Sequence, residues 1–463
     1  MLNFKILLTF IVFAGISCDY VIDYAFRNML NSSVDRCDNF YRHVCKVGTK
    51  HGMLKLGYSI LEEDYGNFTV TDDISEYLVE LMKCSETDYK EGTVTEKLRN
   101  LLENAIQNGE EDIFLNNMKN IRNFTGHQNQ FSQFLANWES DLIARYQLGC
   151  ELVIGYNKER LWLYKNTRVI DDFEKILNEL KPIFNTWIEE TPSFKKYQVV
   201  DKYHDIVSNL ELQNMSSSHR ISQLTTEFKN CQKMLGQWLN DQILVNIICI
   251  DDNYQRYRNN SERLLTNFNA FLDGNFVNLG LPFYAVASRI ETESFYTGLL
   301  GFGIAHEMSH SVIQSNGDEK KLFFSQRTTN CIQNQYYKSC DYYNVPSDNC
   351  IQYLTRIDDN GSDLLGFRGV IQLAKNQFGR KLYEQNDEYS DYTNLQLLFM
   401  GQASFACNYR ISDKDHSPFV IRSNAIAAQN PEFRDAFKCG PNSNISKSLH
   451  KTCYILGPNA SPE

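Results

Sequence analysis

The stretch Gly301-Phe302-Gly303-Ile304-Ala305-His306-Glu307-Met308-Ser309-His310 decides how the rest of the chain is read. It holds His-Glu-x-x-His inside an apolar, helix-compatible run. Four residues along an α-helix turn by about 40° net and rise about 6 Å, so His306 and His310 share a face. Two neutral imidazoles on one face can hold a single Zn²⁺, with Glu307 beside them as general base on a water. With nine histidines in the chain, chance supplies this pattern only about 0.01 times, which sets aside a surface helix with two solvated histidines. A catalytic zinc takes three protein ligands and keeps one position open. A third ligand, a carboxylate behind a histidine and an oxyanion donor must therefore come from elsewhere in the chain.

The surrounding sequence is long enough for a large core, with 463 residues, 42% of them hydrophobic and 13% aromatic. That composition excludes a disordered or collagen-like chain. The net charge of −11 argues against nucleic acid and anionic membrane surfaces as partners, since both require a basic face. No apolar run reaches the length of a transmembrane span. Lys5, an apolar run from Ile6 to Ile16 and the exit Ser17-Cys18-Asp19 read as a secretory signal peptide over residues 1–18. Of 13 cysteines, 12 lie beyond it, an even number that in an oxidising compartment allows up to six disulfides. No Cys-x-x-Cys pair offers a thiolate zinc site. Glycosylation sequons stand at Asn31, Asn67, Asn123, Asn214, Asn259, Asn360, Asn444 and Asn459.

All nine prolines lie at or after Pro182, so the first part of the chain lacks the strongest helix breaker. Leu98, Leu101, Leu102, Ala105 and Ile106 fall at helical spacing. So do Ile221, Leu224, Phe228, Cys231, Leu235 and Trp238 behind a Ser218 cap. Glu151–Tyr156 and Arg160–Tyr164 read as a hairpin, and Phe276–Leu279 as an edge strand before Gly280-Leu281-Pro282. The fold class is mainly α with small β segments. An acidic, Asn-rich patch near 245–260 suggests a division into a helical domain over 19–250 and a catalytic domain over 251–463.

With these pieces in order, the chain resembles the neprilysin and endothelin-converting-enzyme family of zinc endopeptidases. Cys37-Asp38-Asn39-Phe40-Tyr41-Arg42-His43-Val44-Cys45 looks like the family's N-terminal signature. Asn269-Ala270-Phe271 looks like its substrate-backbone segment, with Leu272 replacing the last aromatic. His416-Ser417-Pro418, followed by Arg422, resembles its C-terminal motif. The resemblance implies a two-lobed zinc-peptidase fold, with His306 and His310 on Zn²⁺ and Glu307 as base. It implies that Asn269 and Ala270 hold the substrate backbone, His416 stabilises the oxyanion and Arg422 holds a substrate carbonyl. It also implies the disulfides Cys37–Cys439, Cys45–Cys407, Cys84–Cys231 and Cys331–Cys453. Cys150, Cys249, Cys340 and Cys350 are then left, with Cys340–Cys350 and Cys150–Cys249 as the natural guesses. Peptides are the implied substrates, and the protein would act outside the cell, secreted or held at its surface.

Two departures from the family bear most on function. The family's third zinc ligand is a Glu in Glu-Asn-x-x-Asp-Asn-Gly; the matching segment here is Thr355-Arg356-Ile357-Asp358-Asp359-Asn360-Gly361. Thr355, a neutral hydroxyl, stands at the ligand position. Asp359 keeps the place of the carboxylate that orients a zinc histidine. From helix geometry neither Asp358 nor Asp359 reaches the metal without a shift of the helix. A catalytically impaired relative that binds peptides or a partner is the alternative reading. The second departure is length: few residues separate Cys231 from Asn269, which implies a reduced helical lid domain.

Overall fold

The computed structural model describes residues 19–46, 52–66, 93–122, 162, 166–212, 230, 233, 236, 268–313, 326–343, 356–407 and 416–460. Its helices are, in chain order, α1 (Tyr20–Asn28), α2 (Phe40–Val44), α3 (Met53–Gly66), α4 (Thr93–Gln107), α5 (Glu111–Arg122), α6 (Thr167–Glu190), α7 (Pro192–Tyr197) and α8 (Val200–Ser208). Strands β1 (Glu211–Leu212), β2 (Ala270–Asp273) and β3 (Phe276–Leu279) follow. Then come α9 (Leu281–Ala287), α10 (Glu293–Ile313), α11 (Gln326–Tyr342), α12 (Ile357–Phe378), α13 (Asn394–Phe405), α14 (Phe419–Gln429), α15 (Pro431–Phe437) and α16 (Asn444–Ser448). The mainly helical class with a few strands, expected from the sequence, is what the chain adopts.

Two compact units divide the chain discontinuously: residues 1–62, 168–213 and 267–463 form one, and residues 63–167 with 214–266 the other. The single division suggested near 245–260 differs from this, because 19–62 and 168–213 pack with the C-terminal half. In the smaller unit, α4 and α5 form a helical hairpin whose turn uses Gly109 at φ +73°. Leu98 and Leu102 are buried there and Ile106 is exposed. Trp162 is helical and buried, its indole donating to Asp64 at 2.8 Å. It is therefore not part of a strand, as the hairpin reading of 160–164 required; the other residues of that hairpin lie outside the described residues. Asn230, Lys233 and Gly236 are helical, as expected behind Ser218.

In the larger unit α10 is apolar nearly all round and is buried along almost its whole length. It packs against both α12 and α13. The approach to α12 is close enough that a Cβ on Gly366 would lie 2.8 Å from the His306 amide nitrogen. An aromatic core of Phe283, Phe302, Phe367, Phe399, Phe405 and Phe433 fills the gaps through edge-on and tilted contacts. β3 is not an edge strand. It is the middle of the order β1-β3-β2, parallel to β1 and antiparallel to β2, and β2 is on the edge among the described residues.

Side chains cap the starts of α1, α2, α13 and α16. Thr393 and Gln396 form a reciprocal capping box at the start of α13. Asp19 caps α1: one carboxylate oxygen accepts from the Val21 and Ile22 amides, the other from the Glu291 and Thr292 amides just before α10. Three disulfides join distant segments: Cys37–Cys439, Cys45–Cys407 and Cys331–Cys453. These are three of the pairs implied by the resemblance. Cys84 and Cys231 lie outside the described residues. Cys340 is also disulfide-bonded; Cys150, Cys249 and Cys350 lie outside the described residues.

Candidate metal centre

The centre is made where α10 crosses α12. One helical turn brings the Nε2 atoms of His306 and His310 to 3.1 Å from each other. Both rings are largely buried, so their edges converge on a point shielded from solvent. From α12, Asp359 Oδ1 lies 3.3 Å from His306 Nε2 and 3.9 Å from His310 Nε2. The three donor atoms His306 Nε2, His310 Nε2 and Asp359 Oδ1 thus share one small space, the donor set a divalent ion takes.

The expected division of labour on α12 is corrected here. Asp359 was read as the carboxylate that orients a histidine from behind; instead it faces the Nε2 side. The orienting position is taken by Asp363, whose Oδ1 lies 3.1 Å from His306 Nδ1. Asp363 is four residues further along α12, one turn, so both aspartates share a face. Helix geometry set Asp359 about 6 Å along the axis from position 355, yet its Oδ1 lies 3.3 and 3.9 Å from the two Nε2 atoms. Thr355 lies outside the described residues.

Arg422, from the first turns of α14, sends Nε and Nη2 to the two oxygens of Asp363 at 2.8 and 2.7 Å. Two of its three guanidinium nitrogens are committed to this buried bidentate pair. Tyr336 on α11 donates to Asp363 at 3.0 Å. Asp363 is thus held by side chains from α14 and α11, beside the Nδ1 edge of His306. His416 Nε2 stands 3.7 Å from Asp359 Oδ1, and the side chain is about a third exposed at 33%. Ser417 fixes this segment by donating to Asn360 Oδ1 at 2.8 Å. Asn360 is itself fully buried, so its sequon carries no sugar in the folded protein.

The electrostatics follow from burial and these carboxylates. Burial opposes charge on His306, but the adjacent carboxylates of Asp359 and Asp363 outweigh it and raise its pKa to about 10. His310 is lowered to about 3, by burial first and then by the positive His306. Burial raises Glu307 to about 7, against the pull of His306. Asp359 and Asp363 are held below the ordinary carboxylate range: burial works the other way, and Arg422 and His306 overcome it. The site therefore draws in positive charge. Both Asp359 oxygens are buried without a hydrogen-bond partner, an arrangement that a bound cation satisfies. By donor chemistry and by this orphaned carboxylate, the residues fit zinc.

Glu307 also faces β2. Its carboxylate accepts from the backbone amide of Leu272 on β2. Ala270 opens β2, and the carbonyl of Asn269 before it is fixed by the Gly280 amide at 3.0 Å, with the residue itself exposed.

A His-Glu-x-x-His helix crossed by a carboxylate helix defines a zinc metallopeptidase. The model of Peptidase family M13 matches residues 279–453, the stretch that contains α10, α12 and α14. Over that segment the chain resembles the M13 peptidases, and the resemblance supports a zinc-dependent metalloendopeptidase. No curated protein matches significantly by sequence. Among solved structures, the chain is similar to the Mycobacterium tuberculosis zinc metalloprotease Zmp1 in complex with an inhibitor, at 9% identity and a TM-score of 0.49, over 90% of this chain and 97% of that one. It is also similar to the open state of that protease, at 14% identity and a TM-score of 0.43, over 67% of this chain and 52% of that one.

Proposed function

We propose that the protein is a secreted zinc metalloendopeptidase that hydrolyses extracellular peptides, with His306, His310 and Asp359 as the metal ligands. The observation that carries this is the convergence of Asp359 Oδ1 with the two Nε2 atoms. Zinc bound there would supply Lewis acidity to a water and to the scissile carbonyl. Glu307, raised by burial to about 7, is suited to take the water's proton and pass it to the leaving amine. His416, partly exposed beside Asp359, is the donor for the developing oxyanion. Asn269 and Ala270 stand at the edge strand β2, where an extended peptide can add as a further strand. Asp363, held by Arg422 and Tyr336, fixes the ring of His306.

The test is zinc content and peptide hydrolysis of the purified protein and of Glu307→Gln. The expected result is about one zinc per chain in both, with turnover only in the first. A protein inert on peptides and free of zinc after purification in its presence overturns the proposal. The alternative, a peptide-binding relative without turnover, is motivated by Thr355. It predicts a large gain in zinc retention and activity for Thr355→Glu. With Asp359 already in place, little gain is expected.

A further inference from the structure

Asp19 is the first residue after the leader expected over 1–18, and it is tied into the fold more tightly than a chain start ordinarily is. Its carboxylate accepts from four backbone amides, those of Val21 and Ile22 at 3.1 Å and those of Glu291 and Thr292 at 2.8 Å. Its carbonyl accepts from the Asp23 amide at 2.9 Å and from the Tyr389 hydroxyl at 3.3 Å. Its backbone nitrogen points at a carboxylate, donating to Glu388 Oε1 at 3.1 Å. Glu388 is held in turn, since Thr292 donates to its other oxygen at 3.4 Å. A peptide N–H needs only an acceptor of any kind; an ionised carboxylate there is the partner that suits an ammonium.

We infer that hydrolysis of the Cys18–Asp19 bond frees an α-ammonium for which Glu388 is the built partner. The inference rests on the secretory reading of residues 1–18. The reaction is ordinary amide hydrolysis, catalysed by a leader-cleaving endopeptidase of the secretory route. Water adds across the bond, Cys18 keeps the hydroxyl as a carboxylic acid, and the Asp19 nitrogen takes the hydrogen. Below about pH 8 that amine takes a further proton. A neutral donor becomes a charged one with its nitrogen already in place. Since Asp19 also holds the Glu291 and Thr292 amides, processing tightens the anchorage at the start of the zinc helix.

The groups facing this nitrogen are the Glu388 carboxylate, the carboxylate of Asp19 itself and the Thr292 and Tyr389 hydroxyls, with Asp23 behind Tyr389. All favour the ammonium over the free amine or are neutral towards it. Its folded pKa is therefore raised, and the stabilisation is complete below the unfolded value of about 8 and is lost as the pH rises through the folded value.

The experiment is secretion of the full chain from a eukaryotic host, with the terminus read by intact mass after reduction and deglycosylation. Acylation of the α-amine by an N-hydroxysuccinimide ester at pH 7 is then timed in the wild type, in Glu388→Gln and in a chain with one Gly inserted between Cys18 and Asp19. The expected terminus is Asp19. Its amine is expected to react about tenfold more slowly in the wild type than in the other two, as a one-unit rise in pKa requires. Melting temperatures are expected to favour the wild type over Glu388→Gln at pH 6 and to converge by pH 10. A terminus other than Asp19 overturns the inference while leaving secretion intact. Equal acylation rates from an Asp19 terminus also overturn it. Retention of residues 1–18 removes both the inference and the secretory reading.

Discussion

Two aspartates one turn apart on α12 do different work, and their variants separate it. Asp359→Asn removes an anionic ligand and should lower zinc affinity by at least about 10–100-fold, read by chelator competition. Asp363→Asn leaves the ligand set intact but strips the Arg422 pair and the His306 contact. Its metal affinity should fall less than that of Asp359→Asn, while its stability falls by about 3–5 kcal/mol because a buried guanidinium loses its partner. Both carboxylates are held below their ordinary range, so their stabilising contribution is present above about pH 4 and is lost as the pH falls further. Acid unfolding of Asp363→Asn should accordingly depend less steeply on pH. On the kinetic side, the acid limb of kcat/KM should fall at or below about pH 7, because Glu307 must be ionised to act as base and a neighbouring cation lowers its pKa from there. A limb that stays put in Glu307→Asp would assign it to another group. Much of this site was legible in the sequence. His306, Glu307 and His310 are spaced by the helix itself, so one local rule finds them. The exchange of roles between Asp359 and Asp363 was not found, although the same four-residue spacing was present. Which edge of a ring a carboxylate meets depends on how two helices cross, and no local pattern encodes that.

At the level of elements, the crossing of α10 and α12 depends on Gly366. A methyl group there would press on the His306 backbone, and α12 would have to move away. Gly366→Ala should cost about 1–3 kcal/mol and also weaken zinc binding, because it displaces Asp359 from His306. A denaturant titration with a parallel zinc measurement checks both; loss of stability with full zinc affinity would show that the helices reseat without disturbing the centre. The cap at Asp19 is a second element-scale device. Asp19→Ala leaves the amides of Val21, Ile22, Glu291 and Thr292 without their acceptor. Its cost should be at least about 2 kcal/mol, measured by equilibrium unfolding. Helices with a clear apolar stripe, such as α4, were readable from spacing alone. The place of β3 in its sheet was not, because its partner β1 comes from a segment far earlier in the chain. Pairing of that kind is a property of the folded chain and leaves no period in either strand.

Across the whole molecule, disulfides bind the beginning of the larger unit to its end. Cys331–Cys453 closes a separation of 122 residues, and its replacement by Cys331→Ser with Cys453→Ser should cost about 2–5 kcal/mol in denaturant midpoint analysis. The other two span 402 and 362 residues. Among the described residues no helix is long and apolar enough to cross a membrane. The discontinuous units could not be foreseen from composition, because residues 168–213 differ in no obvious way from the segments that flank them.

Those long separations impose an order of events on biosynthesis. At ribosomal speeds of about 5–20 residues per second, Cys37 emerges about 20–80 s before Cys439 exists. Until residues 407 and 439 are made, Cys45 and Cys37 lack their partners, with Cys84 the next cysteine to appear and the nearest wrong match. Correct pairing therefore waits for the C-terminal cysteines, and a nascent chain halted short of residue 407 has neither terminal staple available.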